Sequence, residues 1–316
     1  MNQEDDSKAK RPDQSVHSVS NNDGSVIQPR IATSKLVPTE ESLAFSERIA
    51  KELDLPFDRE QTAAHSQELS TRYFKDIVSV IAEFTKGITL EQGSTNSLEA
   101  FIEPYQSEGW VFIDDHLDIW LFSLNKLVLF KACYHTTDEE EAQLSEWVKR
   151  YLSISMTEDP HQNNLVLREE TRKLFINYAN LLPVANAMSV SMMIFIICHE
   201  ISHHYLGHLN QAASPSSELE ADKLAYELFL KVAEHKDRLK SAQIDESTTS
   251  APALMMVYLR GLSLKTLGAD IGTTQHPPAS ERLAALIEMG KTTWSDTSRE
   301  RFTELKLQFE KLSLGE

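Results

Sequence analysis

Residues 199–208 read His-Glu-Ile-Ser-His-His-Tyr-Leu-Gly-His, four histidines and one glutamate within ten positions. The first five match the spacing HExxH. On a helix, residues four apart project from one face, so the imidazoles of His199 and His203 can reach a single zinc ion. Glu200 lies about 100° further round the helix. It can meet a water held beside the ion without competing for the ion, and act as a general base. Neutral imidazoles suit zinc, and a site that keeps one position open for water lowers that water's pKa to about 7. The chemistry is then hydrolysis of a carbonyl compound without a covalent intermediate. The pentapeptide alone occurs by chance in on the order of one chain in a hundred of this length, so it needs independent support.

His204 and His208 form a rival pair at the same spacing, but no glutamate follows His204. They point elsewhere on the helix, towards solvent or behind the ligands. A three-histidine site of the metzincin type requires glycine at 206 and histidine at 209. Leu206 stands at the first of these, and Gly207 and His208 each fall out of register. The third ligand must come from another element.

The segment "SSELEADKLAYELFLK" supplies it. With Glu218 set at 0° and about 100° per residue, Lys223, Glu227, Glu220 and Lys231 fall between about 140° and 220°, a solvent face. Glu218 and Asp222 lie instead among Ala221, Ala225, Tyr226 and Phe229. Two carboxylates centred on a core-facing stripe are costly to bury unless they are paired or bind a metal. Glu218 is therefore the expected third zinc ligand, and Asp222 the acceptor for the N–H of a ligand histidine.

HExxH followed by ExxxD is the gluzincin metallopeptidase pattern. The chain resembles the branch that holds the HtpX-like and CAAX-prenyl-type proteases and their soluble bacterial relatives. "ELEADKLA" is similar to that branch's ExEADxxA segment, His208 completes HExxHxxxxH, and "QHPPASERLAAL" (275–286) is similar to its HPxxxxR element. The resemblance places His276 and Arg282 near the active site, where they would stabilise a developing oxyanion. It covers about residues 185–290, and the layout also resembles the phage-exclusion Lit-type peptidases, which cleave a host translation factor. The regulator peptidases of the ImmA/IrrE type match less well, with Leu224 and Ala225 in place of Phe-Ala. The resemblance implies a zincin-like fold and a zinc-dependent endopeptidase acting on a protein or peptide substrate. The competing expectation is a catalytically silent zinc-binding scaffold or sensor.

The elements that must position these residues are mostly helical. The chain has 316 residues, 41% of them hydrophobic, with 10 glycines and 11 prolines, which suits a helix-rich protein. The expected class is mainly α with a small β element (α+β). Residues 1–38 are polar and expected to be a disordered tail. Residues 39–316 are expected to form a single metallopeptidase domain, with an N-terminal helical part (39–180) and a zinc-binding part (181–316). Three-four spacing predicts helices over 40–55, 58–84, 115–133, 138–152, 168–181, 184–209, 217–235, 251–267, 278–289 and 296–313. "GITLEQGS" and "GWVFIDD" read as short strands, and the second is a candidate edge for an extended substrate.

A net charge of −17 argues against nucleic-acid binding and against docking on anionic lipid. The first residues lack the apolar segment of a signal peptide, and the longest apolar run, Met192 to Cys198, is too short to span a bilayer. A cytoplasmic protein with reduced cysteines is expected. Cys198, beside His199, reads as a small buried hydrophobe rather than a fourth ligand. The cluster Asp114, Asp115, His116 and Asp118 reads as a helix cap rather than a second metal site.

Overall fold

A computed structural model describes residues 30–32, 40–52, 54, 56–62, 74–75, 77–93, 98–105, 108–157, 159–235 and 248–314. The fold is mainly α with a small four-stranded sheet. The strands are β1 (Arg30–Ala32), β2 (Ile88–Gly93), β3 (Ala100–Tyr105) and β4 (Glu108–Asp114), in the spatial order β1-β2-β4-β3. β2 runs parallel to β4 with Leu90 opposite Val111, and β3 runs antiparallel to β4 with Phe101 opposite Phe112. Ile88, Leu90, Val111 and Ile113 alternate onto one face and are buried in the core.

The tail expected to be disordered lies outside the described residues except for β1, which pairs parallel to β2. The helix expected over 58–84 is helical at 59–62, 74–75 and 77–80, and residues 63–73 lie outside the described residues.

The helices follow from their caps. α1 spans Glu40–Glu52. Asp114 closes β4 and caps α2 (Asp115–Cys133), accepting from the His116 amide at 2.8 Å. Thr137 and Glu140 form a capping box on α3 (Asp138–Ser153). The single helix expected over 168–181 is instead α4 (Pro160–Glu170), α5 (Arg172–Asn177) and a 3-10 turn (Ala179–Leu181). Asp159 caps α4, and the helix ends at Thr171, whose hydroxyl turns back to the Leu167 carbonyl at 2.8 Å.

α6 (Leu182–Tyr205) is the central element, with Pro183 in its first turn. It is buried almost from end to end, against α2, α7 (Pro215–Glu234) and α8 (Ala251–Leu267). The stretch Ala179–Tyr205 is long and apolar enough to cross a membrane by length and composition, so the apolar segment is longer than the run Met192–Cys198 suggests. Its apolar character here matches its place in the core. A buried polar chain fixes its rotation: Asn125 of α2 donates to Ser189 at 3.0 Å and accepts from Tyr258 of α8 at 2.9 Å.

α6 ends at Tyr205, one turn before the expected end at 209. Gly207 takes a left-handed conformation (φ 73°), which only glycine adopts without strain, and starts a 3-10 turn at His208–Asn210. α7 (Pro215–Glu234) then returns along α6, capped by Ser214. α9 (Ala279–Thr293) is capped from a distance: the Asp270 carboxylate accepts from the amides of Ala279 and Ser280 at 3.0 and 3.1 Å. α10 (Asp296–Leu314) closes the chain.

Candidate active site

The last two turns of α6 and the first two turns of α7 face each other, and their acidic and imidazole groups converge. His199 and His203 present Nε2 atoms 3.1 Å apart. Glu218 brings Oε2 to 3.4 Å from His199 Nε2 and Oε1 to 3.3 Å from His203 Nε2. The three side chains can each offer one atom to a shared metal ion, all within 4.8 Å of one another. A tetrahedral ion bonded at about 2.0–2.1 Å needs ligand atoms about 3.3 Å apart, which these spacings match. Among the described residues, these three form the group so arranged.

The predicted helical wheel of α7 is the observed one. Glu218 is 5% exposed and Asp222 1%, among buried Ala221, Ala225, Tyr226 and Phe229, whereas Glu220, Lys223, Glu227 and Lys231 face solvent. Asp222 Oδ1 lies 3.0 Å from His199 Nδ1, close enough for a hydrogen bond but off the line of the ring N–H. Arg282 of α9 grips the same carboxylate with two bonds, Nε to Oδ2 at 2.7 Å and Nη2 to Oδ1 at 2.6 Å. Its remaining nitrogen, Nη1, lies 3.7 Å from Glu218 Oε2. His276, 56% exposed at the mouth, places Nδ1 3.3 Å from Glu218 Oε2. His199, His203, Glu218, Asp222, His276 and Arg282 therefore meet at one place, and Arg282 is turned chiefly towards Asp222.

The site's electrostatics follow from burial set against pairing. For Asp222, burial acts to raise the carboxyl, but the Arg282 charge and bonds outweigh it and bring the pKa down to about 2. Glu218 is likewise held well below the usual range despite burial, by hydrogen bonds from His199 and His203. Burial acts to lower His199, but Asp222 and Glu218 raise it to about 9 in the metal-free protein. Glu200 goes the other way: burial raises its carboxyl, with the two histidines opposing.

His199, Glu200, His203, Glu218, His276 and Arg282 line a cleft of about 540 Å³, with Asp222 behind it. Glu200 and the three candidate ligands share it with an apolar wall that includes Leu117, Trp120, Leu121, Phe195 and Met255. Leu98, Ala100, Phe101 and Ile102 form a further wall, so β3 is the strand at the cleft. The segment "GWVFID", expected as the substrate edge, is β4, which is paired on both sides and offers no free edge. "AFIEPY" lacks a clean strand pattern in the sequence because Pro104 interrupts it.

Other residues resolve simply. His204 points away from the ligands, its Nε2 3.2 Å from the Lys86 carbonyl. His208 lies against His203, Nδ1 to Nδ1 at 3.1 Å. Cys198 is fully buried and burial pushes its thiol up, which fits a small hydrophobe. Tyr226 is buried and donates towards the Thr249 carbonyl while accepting from Trp294, and Tyr205 packs at a tilt against Phe84; neither lines the cleft. Asp114 is the α2 cap, and Asp118 is a partly buried carboxyl that burial raises to about 6.

A family model described as Peptidase U49 matches residues 123–301, more than half of the chain and the whole of the site. No curated protein and no solved structure matches the chain.

Proposed function

From the premise that the chain belongs to the peptidase U49 family, we propose that it is a zinc-dependent endopeptidase that cleaves a cytosolic protein. His199, His203 and Glu218 hold the ion, and Glu200 is the general base. The observation that carries this reading is the convergence of three ligand atoms at near-tetrahedral spacing, with Glu200 on the same cleft wall. Two imidazoles and one carboxylate are a donor set that zinc favours over harder cations.

When bound, the ion would polarise the scissile carbonyl and make a water molecule acidic enough to attack it. Glu200 takes the proton from that water and delivers it to the leaving amine nitrogen. Burial raises its carboxyl, which makes it a stronger proton acceptor than an exposed glutamate. Asp222, fixed by Arg282, holds the ring of His199. His276 and the third nitrogen of Arg282 stand beside Glu218, where they would share in stabilising the oxyanion. An extended substrate would lie along β3, an end strand of the sheet, with its backbone paired as an added strand.

The test is metal analysis of wild type beside Glu200→Gln, together with digestion of a proteome-derived peptide library. Both proteins are expected to carry about one zinc per chain, and the variant to lose about 10²–10⁴-fold in cleavage rate. Wild type that takes up no zinc, or a Glu200→Gln variant that cuts as well, ends this reading. Zinc without cleavage in wild type would favour the scaffold instead.

A further inference from the structure

Five residues along a continuous helix, His208 would stand about 140° round from His203 and could not touch it. The left-handed turn at Gly207 changes this. It ends α6 and folds His208 back, so that its Nδ1 lies 3.1 Å from Nδ1 of His203. The His208 side chain is 8% exposed, and its other nitrogen, Nε2, lies 3.4 Å from Glu220 Oε2. His203 thus has two occupied ends: Nε2 faces His199 and Glu218, and Nδ1 faces His208.

We propose that His208, backed by Glu220, is the positioning residue that fixes the ring and tautomer of His203 for metal binding. The proposal rests on the zinc site described above. If Nε2 of His203 gives its lone pair to the ion, the ring proton must sit on Nδ1. Among the described residues, the acceptor facing that proton is Nδ1 of His208, 3.1 Å away. Accepting there leaves the proton of His208 on Nε2, directed at Glu220. The hydrogen bonds therefore run one way, from His203 to His208 to Glu220, and only one tautomer of each ring satisfies them. Nδ1 of His199 likewise faces a polar group, the Asp222 carboxylate at 3.0 Å, which is itself held by Arg282. The two ligand histidines are thus supported from different sides, one by α9 and the other by the turn after α6. His208 cannot serve as a fourth ligand while it does this, because it sits on the side of the His203 ring away from Glu218.

The test compares wild type with His208→Ala, His208→Asn and Glu220→Gln, reading zinc affinity by competition with a chromophoric chelator and the melting temperature with and without zinc. Outer partners of metal-binding histidines typically contribute about 10–100-fold in affinity, and His208→Ala is expected to lose that much. Its metal-free melting temperature should stay near that of wild type, while the rise on adding zinc shrinks. An asparagine oxygen can stand where His208 Nδ1 does, so His208→Asn should recover most of the affinity. Glu220 is 66% exposed, and Glu220→Gln should cost about fivefold or less. Unchanged zinc affinity in His208→Ala overturns the proposal, as does His208→Asn binding no better than alanine. A metal-free melting temperature that falls as far as the zinc-bound one would show a merely structural role and overturn it too. Wild type that binds no zinc removes the site itself, a result distinct from a wild type that binds zinc and is indifferent to His208.

Discussion

Arg282 reaches across from α9 to hold Asp222 of α7 by a fork, with bonds of 2.7 and 2.6 Å from two nitrogens to the two carboxylate oxygens. The pair is planar recognition by a guanidinium, in a place where the carboxylate is 1% exposed. Asp222 in turn lies 3.0 Å from the Nδ1 of His199. Three elements, α6, α7 and α9, are thereby tied at one carboxylate.

Removing one partner of that fork should be expensive. In Arg282→Met the buried carboxylate loses its counter-charge, and the expected destabilisation is about 3–5 kcal/mol by urea unfolding. Arg282→Lys should recover only part of it, since an ammonium cannot make the forked pair. Replacing both partners, as Arg282→Met with Asp222→Leu, should cost less than Arg282→Met alone. Simple additivity of the two single changes would show that the fork contributes nothing to stability.

The same carboxylate gives a pH dependence with a definite sign. Burial raises Asp222, but Arg282 and His199 lower it further, to about 2 from its ordinary 3.8. A carboxyl depressed on folding stabilises the protein above the unfolded-state pKa, and this stabilisation disappears as the pH falls through the folded one. Metal-free protein should therefore lose about 2 kcal/mol between roughly pH 4 and pH 2 on account of this residue. Urea midpoints measured across that range should show a shallower acid decline in Asp222→Asn. Equal slopes in the two proteins would refute the assignment.

How much of this was legible in the sequence depends on the range of the interaction. The face of α7 was readable because Glu218 and Asp222 interrupt an apolar stripe whose period lies within one helix. The start of α3 was readable from Thr137 and the acidic turn after it for the same local reason. The forked partner of Asp222 lies 60 positions away, and no local pattern reports which arginine crosses that distance. The break between α4 and α5 hid because neither proline nor glycine stands at Glu170, Thr171 or Arg172 to mark it. His208 was read on a helix continued to 209. Gly207 held the signal for a helix end, and that signal was overridden by the apolar period running into it.

Cys198 should behave as part of the core. It is fully buried and burial raises its thiol, whereas Cys133 is exposed. A thiol reagent such as DTNB should label one cysteine rapidly in native protein and two after unfolding. Chelation should leave the native count at one. Rapid labelling of Cys198 on chelation would instead make it a ligand or a residue uncovered by loss of the metal.

The sheet and the site helix meet at a position that only glycine fills. A Cβ on Gly109, near the start of β4, would stand 2.8 Å from His204 Nδ1 and 3.1 Å from Ile102 Cδ1. His204 directly follows the candidate ligand His203, and its Nε2 reaches the Lys86 carbonyl in the turn before β2. Gly109→Ala must displace that ring and should cost about 1–3 kcal/mol, the usual range for overpacking. Because the nearer clash is with a side chain, the penalty should be relieved when the ring is removed. In a His204→Ala background, Gly109→Ala should be milder by about 1 kcal/mol or more, a coupling that a double-mutant cycle in urea resolves. Strictly additive changes would mean that the Ile102 side chain, not the His204 ring, limits the space at Gly109.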